Sequence, residues 1–423
     1  MNSLIQKLSL AFKDAVLRKR LLFVALALVL FRLLAAIPIP GIDVARLEQF
    51  FGGNQFLGLL NIFSGGGLSN LSIVMLGVGP YITASIIMQL LTMMFPKLKA
   101  LYHEEGEAGR ARFSQYSRLL TVPLALIQSW GFLVLLERQG VVEALTFGDT
   151  LTNVLIITGG SLLLMWVGEL MTEFGIGNGV SLIIFAGIVS GLPSALTQLA
   201  FTFEPSDIPR YVGFLVVAVL IVFGVVVVTE AERPIPVTYA KRVRGMKVYG
   251  GVSTYLPLRV NQAGVIPIIF ALSILLFPQM IVSFLSGVDN ALIHSAASFI
   301  QNIFSNSWFY SSFYFILVFV FTYFYTAVTF DPEAIATNLQ KNGAFIPGVR
   351  PGQPTSDYVS KVLTRITLVG ATFLALVAVL PLAMQGVTGN VNLAIGGTAL
   401  LIVVSVVLDF VKKVEAQVSM REY

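Results

Sequence analysis

The 423-residue chain has no cysteine and only two histidines, His103 and His294. Without thiols there can be no disulfide, no cysteine nucleophile and no Cys-ligated zinc or iron–sulfur centre. Two distant histidines make no His-based metal motif either. Charge is also scarce, at 12% of residues, against 56% apolar residues and a mean hydropathy of +0.85. That leaves too little polar surface to cover a water-soluble globule, so the composition demands a bilayer as its solvent. There is no G-x-x-x-x-G-K-[ST] phosphate loop, so energy for any transport must come from a partner or from the membrane potential.

What the chain does have is ten apolar segments, at 21-38, 73-95, 118-136, 152-170, 179-199, 211-229, 262-284, 310-330, 366-384 and 392-410. Each is close to the ~20 residues that cross about 30 Å of hydrocarbon as a helix. Threading ten spans through a membrane puts 23 of the 27 Lys and Arg residues on one side. Arg46, Arg138 and Arg210 fall on the other side, and Arg32 lies within the first span, where it is expected to snorkel toward the outer interface. With 14 acidic residues on the basic side and eight opposite, the two faces carry +9 and −5. The positive face is therefore read as inside, with both termini. The basic pI of 9.3 restates this bias and does not point to nucleic acid.

Ile37-Pro38-Ile39-Pro40-Gly41 follows the first run in place of a small-x-small cleavage site, so that run is expected to remain as a span. Before it, Leu4, Leu8, Phe12 and Val16 recur every four residues beside Lys7, Lys13, Arg18, Lys19 and Arg20. This pattern predicts an amphipathic helix over 1-20 on the inner membrane surface.

Ten spans divide into five and five, 21-200 and 201-423, and an odd number per set makes the second half enter from the opposite side, as an inverted repeat requires. Gly77-Val78-Gly79-Pro80-Tyr81-Ile82-Thr83-Ala84 and Gly264-Val265-Ile266-Pro267-Ile268-Ile269-Phe270-Ala271 agree at five of eight positions. The stretch 56-95 cannot be one helix, because consecutive glycines in Ser64-Gly65-Gly66-Gly67 each cost about 1 kcal/mol there. The short segment before them either rests as an outer surface loop or enters the membrane, where irregular backbone survives only if protein or a water-filled cavity surrounds it. The inner loop 171-178 carries no basic residue, and is either recessed or merely short. In contrast, the inner loops 230-260 and 331-365 carry six and four basic residues. At about 30 residues they exceed what connection alone requires, and read as docking surfaces.

Several strings together resemble the SecY family, whose members form the central channel of the bacterial Sec protein translocon. They are Ile37 to Asp43, Asn61-Ile62-Phe63-Ser64-Gly65-Gly66, Gly77 to Leu91, Glu105-Gly106-Glu107 with Ser114-Gln115-Tyr116, and Gly175-Ile176-Gly177-Asn178-Gly179. Further along come Tyr239-Ala240-Lys241-Arg242, Leu256 to Asn261, and Gly343 to Gly352. The resemblance covers essentially the whole chain. It implies an all-α polytopic membrane protein of ten transmembrane helices, in two inverted five-helix halves around an hourglass pore. That pore would pass unfolded preproteins and release hydrophobic helices sideways into lipid.

By position in these strings, the resemblance assigns a pore ring to Val78, Ile82, Ile86, Val180, Ile184, Ile269 and Ile402. The family favours Ile throughout, so Val78 and Val180 depart from its pattern and widen the ring slightly. Residues 78, 82 and 86 share one helical face, as do 180 and 184. The broken segment 56-68, with Leu60, Asn61, Ile62, Phe63, Ser64, Gly65, Gly66 and Gly67, would be the plug. The second and seventh spans would be the two sides of a lateral gate, with polar residues Thr83, Gln89, Gln128 and Asn261. Gln128 also reads as a solitary helix-packing contact. Lys241, Arg242, Arg244, Lys247 and Arg350 would dock the SecA motor ATPase and the ribosome, although the first three serve equally well as membrane anchors. No cofactor is implied. The implied partners are SecE-like and SecG-like small membrane subunits, preprotein signal sequences and membrane lipids, in a bacterial inner membrane. The competing reading is a secondary transporter, but carriers usually need ionisable groups deep in their spans. This chain offers only Arg32 there, with Glu169 and Glu173 near a span end.

Overall fold

The computed structural model describes residues 14–40, 64, 66–68, 70–103, 105–138, 142, 145–201, 208–239, 242–244, 247–249, 253–285, 291–388 and 391–419. Helices dominate. In chain order they are α1 (Ala15–Ala35), α2 (Gly79–Met94), α3 (Pro96–His103), α4 (Gly106–Arg138), α5 (Phe147–Phe174), α6 (Gly179–Phe201) and α7 (Ile208–Glu230). After the strands come α8 (Ile266–Leu285), α9 (Ala291–Ser305), α10 (Ser307–Thr329), α11 (Pro332–Lys341), α12 (Gln353–Thr388) and α13 (Val391–Ser419). Each of the ten apolar segments coincides with one of α1, α2, α4 to α8, α10, α12 and α13. Among the described residues, four helices are long and apolar enough to cross a membrane alone, and the bent pair α2–α3 makes a fifth. Large apolar side chains such as Leu26, Leu119, Leu215 and Phe223 lie exposed on the outer surfaces of these helices, the arrangement expected where lipid replaces water.

Local chemistry sets the helix ends. The Asp14 carboxylate caps α1, accepting from the backbone N–H groups of Val16 at 2.7 Å and Leu17 at 3.2 Å. Residues 15-20 therefore continue directly into the first span, and the rest of the expected surface helix lies outside the described residues. Pro80 occupies the first turn of α2, where its missing N–H costs nothing. Pro96 ends the helix at Phe95, and the chain bends by 114° into α3. Thr146 caps α5 by accepting from Asp149 N–H at 3.3 Å.

The two long loops read as inner correct the all-α expectation, since parts of them form strands. These are β1 (Glu232–Tyr239), β2 (Arg242–Arg244), β3 (Lys247–Tyr249), β4 (Ser253–Arg259) and β5 (Ala344–Phe345). β1 pairs antiparallel with β4 from Glu232↔Arg259 to Thr238↔Ser253, and with β5 at Thr238↔Phe345 and Tyr239↔Ala344. Pro234 and Pro236 lie two apart, so both turn their missing N–H to the side away from β4, and β5 begins only beyond them. Ile235, Val237 and Leu258 are buried with Ala344, Ile346 and Val359, which seats the sheet on the N-terminal end of α12. At 36 residues, α12 is about 54 Å long, well beyond the ~30 Å hydrocarbon layer.

Candidate functional site

Turns deliver α2 and α8 to the centre of the molecule in the same way. Gly77 has φ +56° and Gly264 φ +60°, a left-handed conformation that suits glycine, and each helix starts two residues later with proline next in line. Four residues before each turn glycine, a backbone carbonyl presses on a second glycine. Ile73 O abuts Gly160 on α5, and Val260 O abuts Gly370 on α12, so close that an added Cβ would overlap it. Ser161 Oγ also donates to the Gly77 carbonyl at 2.8 Å. The sequence echo between the second and seventh spans thus extends to the neighbours each one packs against.

Six of the expected ring residues are buried, with none more than 6% exposed: Val78, Ile82, Ile86, Ile184, Ile269 and Ile402. They come from α2 and its cap, α6, α8 and α13, yet all belong to one continuous apolar cluster. Val180 packs at its margin, half-buried, with Cγ2 set against Gly168 of α5. The ring side chains themselves, all aliphatic, offer water no hydrogen-bonding partner.

The helix α8, one side of the expected gate, contacts both α2 and α4. Thr83 Oγ1 donates to its own helix at Gly79 O, 3.1 Å away. Asn261 is buried, and its Nδ2 donates locally to Gly264 O at 3.3 Å. Asn261 Oδ1 and Gln89 Oε1 are buried without a hydrogen-bond partner, and Gln128 is half-buried on α4. Phe270 packs edge-on to Phe321 and Tyr325 of α10, with ring centroids 6.0 Å apart in each case.

Of the expected plug, Ser64, Gly66 and Gly67 are described, whereas Leu60, Asn61, Ile62, Phe63 and Gly65 lie outside the described residues, as does Lys241. Ser64 Oγ accepts from Leu68 N–H at 3.0 Å, and Ser72 Oγ donates to Gly67 O at 2.9 Å. Ile39 N–H donates to Leu71 O, and Ile73 N–H to Ile37 O, both at 2.9 Å, which straps this turn to the exit of α1. Arg242, Arg244 and Lys247 fall on the β2–β3 hairpin, with Arg244 opposite Lys247 in register. Arg350 is exposed on a loop whose backbone is pinned. Its carbonyl accepts from Thr355 Oγ1 at 2.8 Å, between Gly348 at φ +82° and Gly352 at φ +95°. A polar junction not foreseen from sequence joins three helices: Glu169 Oε1 on α5 accepts from Arg118 Nε on α4 at 2.7 Å and from Tyr81 OH on α2 at 3.4 Å.

The SecY family profile matches residues 72–411. The chain belongs to the SecY family. The protein translocase subunit SecY of Streptomyces coelicolor is 44% identical, over 98% of this chain and 97% of that one. Those of Corynebacterium glutamicum and Mycobacterium tuberculosis are 43% and 42% identical, covering 100% and 96% of this chain and 99% and 96% of theirs. In fold, this SecY-family chain is similar to a solved protein conducting channel, with a TM-score of 0.66 at 18% identity, covering 96% of this chain and 93% of that one. Sec61 from a canine ribosome–channel complex gives 0.63, also at 18% identity and with the same coverage. The SecY resemblance read from the sequence strings is borne out, the chain is a multi-pass membrane protein, and the secondary-transporter reading gains no support.

Proposed function

We propose that this chain is the protein-conducting subunit of a bacterial Sec translocase, here in its closed, resting state. Its work is conduction of a polypeptide and not catalysis. The observation that carries the reading is the central cluster, in which ring residues from four parts of the chain bury one another. Ions and water are excluded by dewetting, while branched aliphatic side chains can yield around a passing chain. On this reading ten helices span the inner membrane with both termini inside. Two inverted halves, 21-200 and 201-423, meet at the pore and hinge near 200-210, and the paired glycine turns and glycine–carbonyl contacts support that symmetry. The segment 56-68 acts as plug, and α2 and α8 part as the lateral gate. Unpartnered oxygens on Gln89 and Asn261 suit a seam that must open, since even formed interhelical bonds in membranes average only about 0.6 kcal/mol. The β2–β3 hairpin and the Arg350 loop form the inner docking face for a SecA-like motor and the ribosome. SecE-like and SecG-like subunits, signal sequences and lipids complete the partner set.

Single-channel recording in planar bilayers tests this. The wild-type channel is expected to stay closed at rest, deletion of 60–67 to open it transiently, and Ile82→Ser with Ile269→Ser to leak persistently. Electrical silence of both variants would overturn the pore assignment.

A further inference from the structure

Arg32 is the one ionisable residue well inside a predicted span. An arginine at membrane depth is costly unless it meets polar groups, and such residues mark working sites. It lies in the last turn of α1, where a cation also suits the negative end of the helix dipole. Its guanidinium reaches Gly66, in the turn that follows the apolar segment 56-63. A methyl group built on Gly66 would lie 3.4 Å from Arg32 Nη1, 3.5 Å from the Gly187 carbonyl and 3.5 Å from Ser190 Oγ. Three polar atoms, one from α1 and two from α6, thus surround a single glycine. Ser190 Oγ donates to Gly187 O at 2.7 Å, which fixes the α6 side of this cradle.

Gly66 also has φ +80°, a conformation that resists a side chain regardless of space. The next residue is held as tightly: a Cβ on Gly67 would come within 2.9 Å of Ser72 Oγ and 3.0 Å of Val74 O. On the far side, Asn70 Nδ2 donates to Ala35 O at 3.4 Å, one turn beyond Arg32 on α1. The turn is therefore clasped from both sides, and Arg32 supplies the charged atom of the cradle.

We infer that Arg32 is a positioning residue that holds the base of the plug, its guanidinium fixing the Gly66 turn between α1 and α6 and so favouring the closed channel. This rests on the plug reading proposed above. Arg32 would then act through the turn and not on the ring itself, which gives it a signature that simple helix packing lacks: its effect should vanish when the turn is removed.

The test is resting conductance of the complete translocon in planar bilayers. Arg32→Leu and Gly66→Ala are each expected to raise the frequency of resting openings by about tenfold or more, the scale set by losing a charge-assisted contact. Arg32→Lys should restore part of the closure, because it keeps the charge without the planar fork. In a chain lacking 60–67, Arg32→Leu should add nothing. If the deletion leaks while Arg32→Leu and Gly66→Ala stay as quiet as wild type, the inference fails and the plug reading stands. Extra leak from Arg32→Leu in the deleted chain would also overturn it, by showing that Arg32 acts elsewhere. A silent deletion would remove the plug reading and this inference together. Arg32→Leu makes the span more apolar, and Gly66→Ala tests the same contact from the other side if that variant does not assemble.

Discussion

Arg118 Nε donates to Glu169 Oε1 at 2.7 Å, joining α4 to α5 between residues 51 positions apart. The same oxygen accepts from Tyr81 OH, one residue before Ile82 of the ring, so the start of α2 is tied to the pair. The Arg118 side chain is 47% exposed and that of Glu169 only 15%. A half-solvated pair of this kind contributes at most about 1 kcal/mol. Glu169→Leu, which removes both bonds, is expected to lower the thermal unfolding midpoint in mild detergent more than Arg118→Leu, which removes one. Equal shifts would mean that the 3.4 Å Tyr81 contact carries no weight.

The two glycine–carbonyl contacts make a symmetric prediction. Gly160→Ala and Gly370→Ala each force a methyl group into a backbone carbonyl, Ile73 O in one case and Val260 O in the other. Overpacking of this sort costs about 1–3 kcal/mol. Both variants should unfold earlier than wild type when followed by tryptophan fluorescence. A neutral result at either site would show that its neighbour can give way.

For the proposed lateral gate, the absence of native cysteine leaves an engineered pair without background. Ile86→Cys with Ile269→Cys is expected to crosslink in the resting channel and stop transport, because both side chains lie in the central cluster. Phe270→Cys should crosslink poorly with the same partner, since the Phe270 side chain packs on α10. The reverse order of yields would contradict the facing assigned to α8.

At the proposed docking loop, Arg350→Glu is expected to cut translocation severalfold while leaving the folded amount unchanged, and Arg350→Lys to fall between. An exposed guanidinium on a pinned loop offers planar, bidentate contact to a carboxylate or phosphate, which lysine reproduces only as a point charge. Full transport by the Glu variant would remove this loop from the proposed docking surface.

The helices are legible in the sequence because an apolar run of about 20 residues matches the thickness of a bilayer's hydrocarbon core, and the proline and glycine at 77–80 and 264–267 mark two starts. Side-chain facing is less legible. Helices apolar on every side give no phase to their periodicity, so the contact of Val180 with Gly168 and the turn of Phe270 toward α10 leave no trace in the pattern. The inner sheet is hidden for a different reason: β1 reads Glu-Arg-Pro-Ile-Pro-Val-Thr-Tyr, and its prolines argue against a strand until one knows that they face an open edge. Its partner β5 is two residues long, below any sequence signal. The helix α9 lies in what reads as an outer loop, and the approach of Arg32 to Gly66 joins residues 34 positions apart.

Two residue pairs, Thr238↔Phe345 and Tyr239↔Ala344, fasten the loop between α10 and α12 to the loop between α7 and α8. Mechanically, these loops form one lever. β1 is covalently continuous with α7, whose last turn meets α13 through Glu230 and Lys412 at 2.9 Å, and β4 runs on toward the start of α8. A load applied at Arg350 therefore reaches α8, the proposed gate helix, through backbone and hydrogen bonds alone.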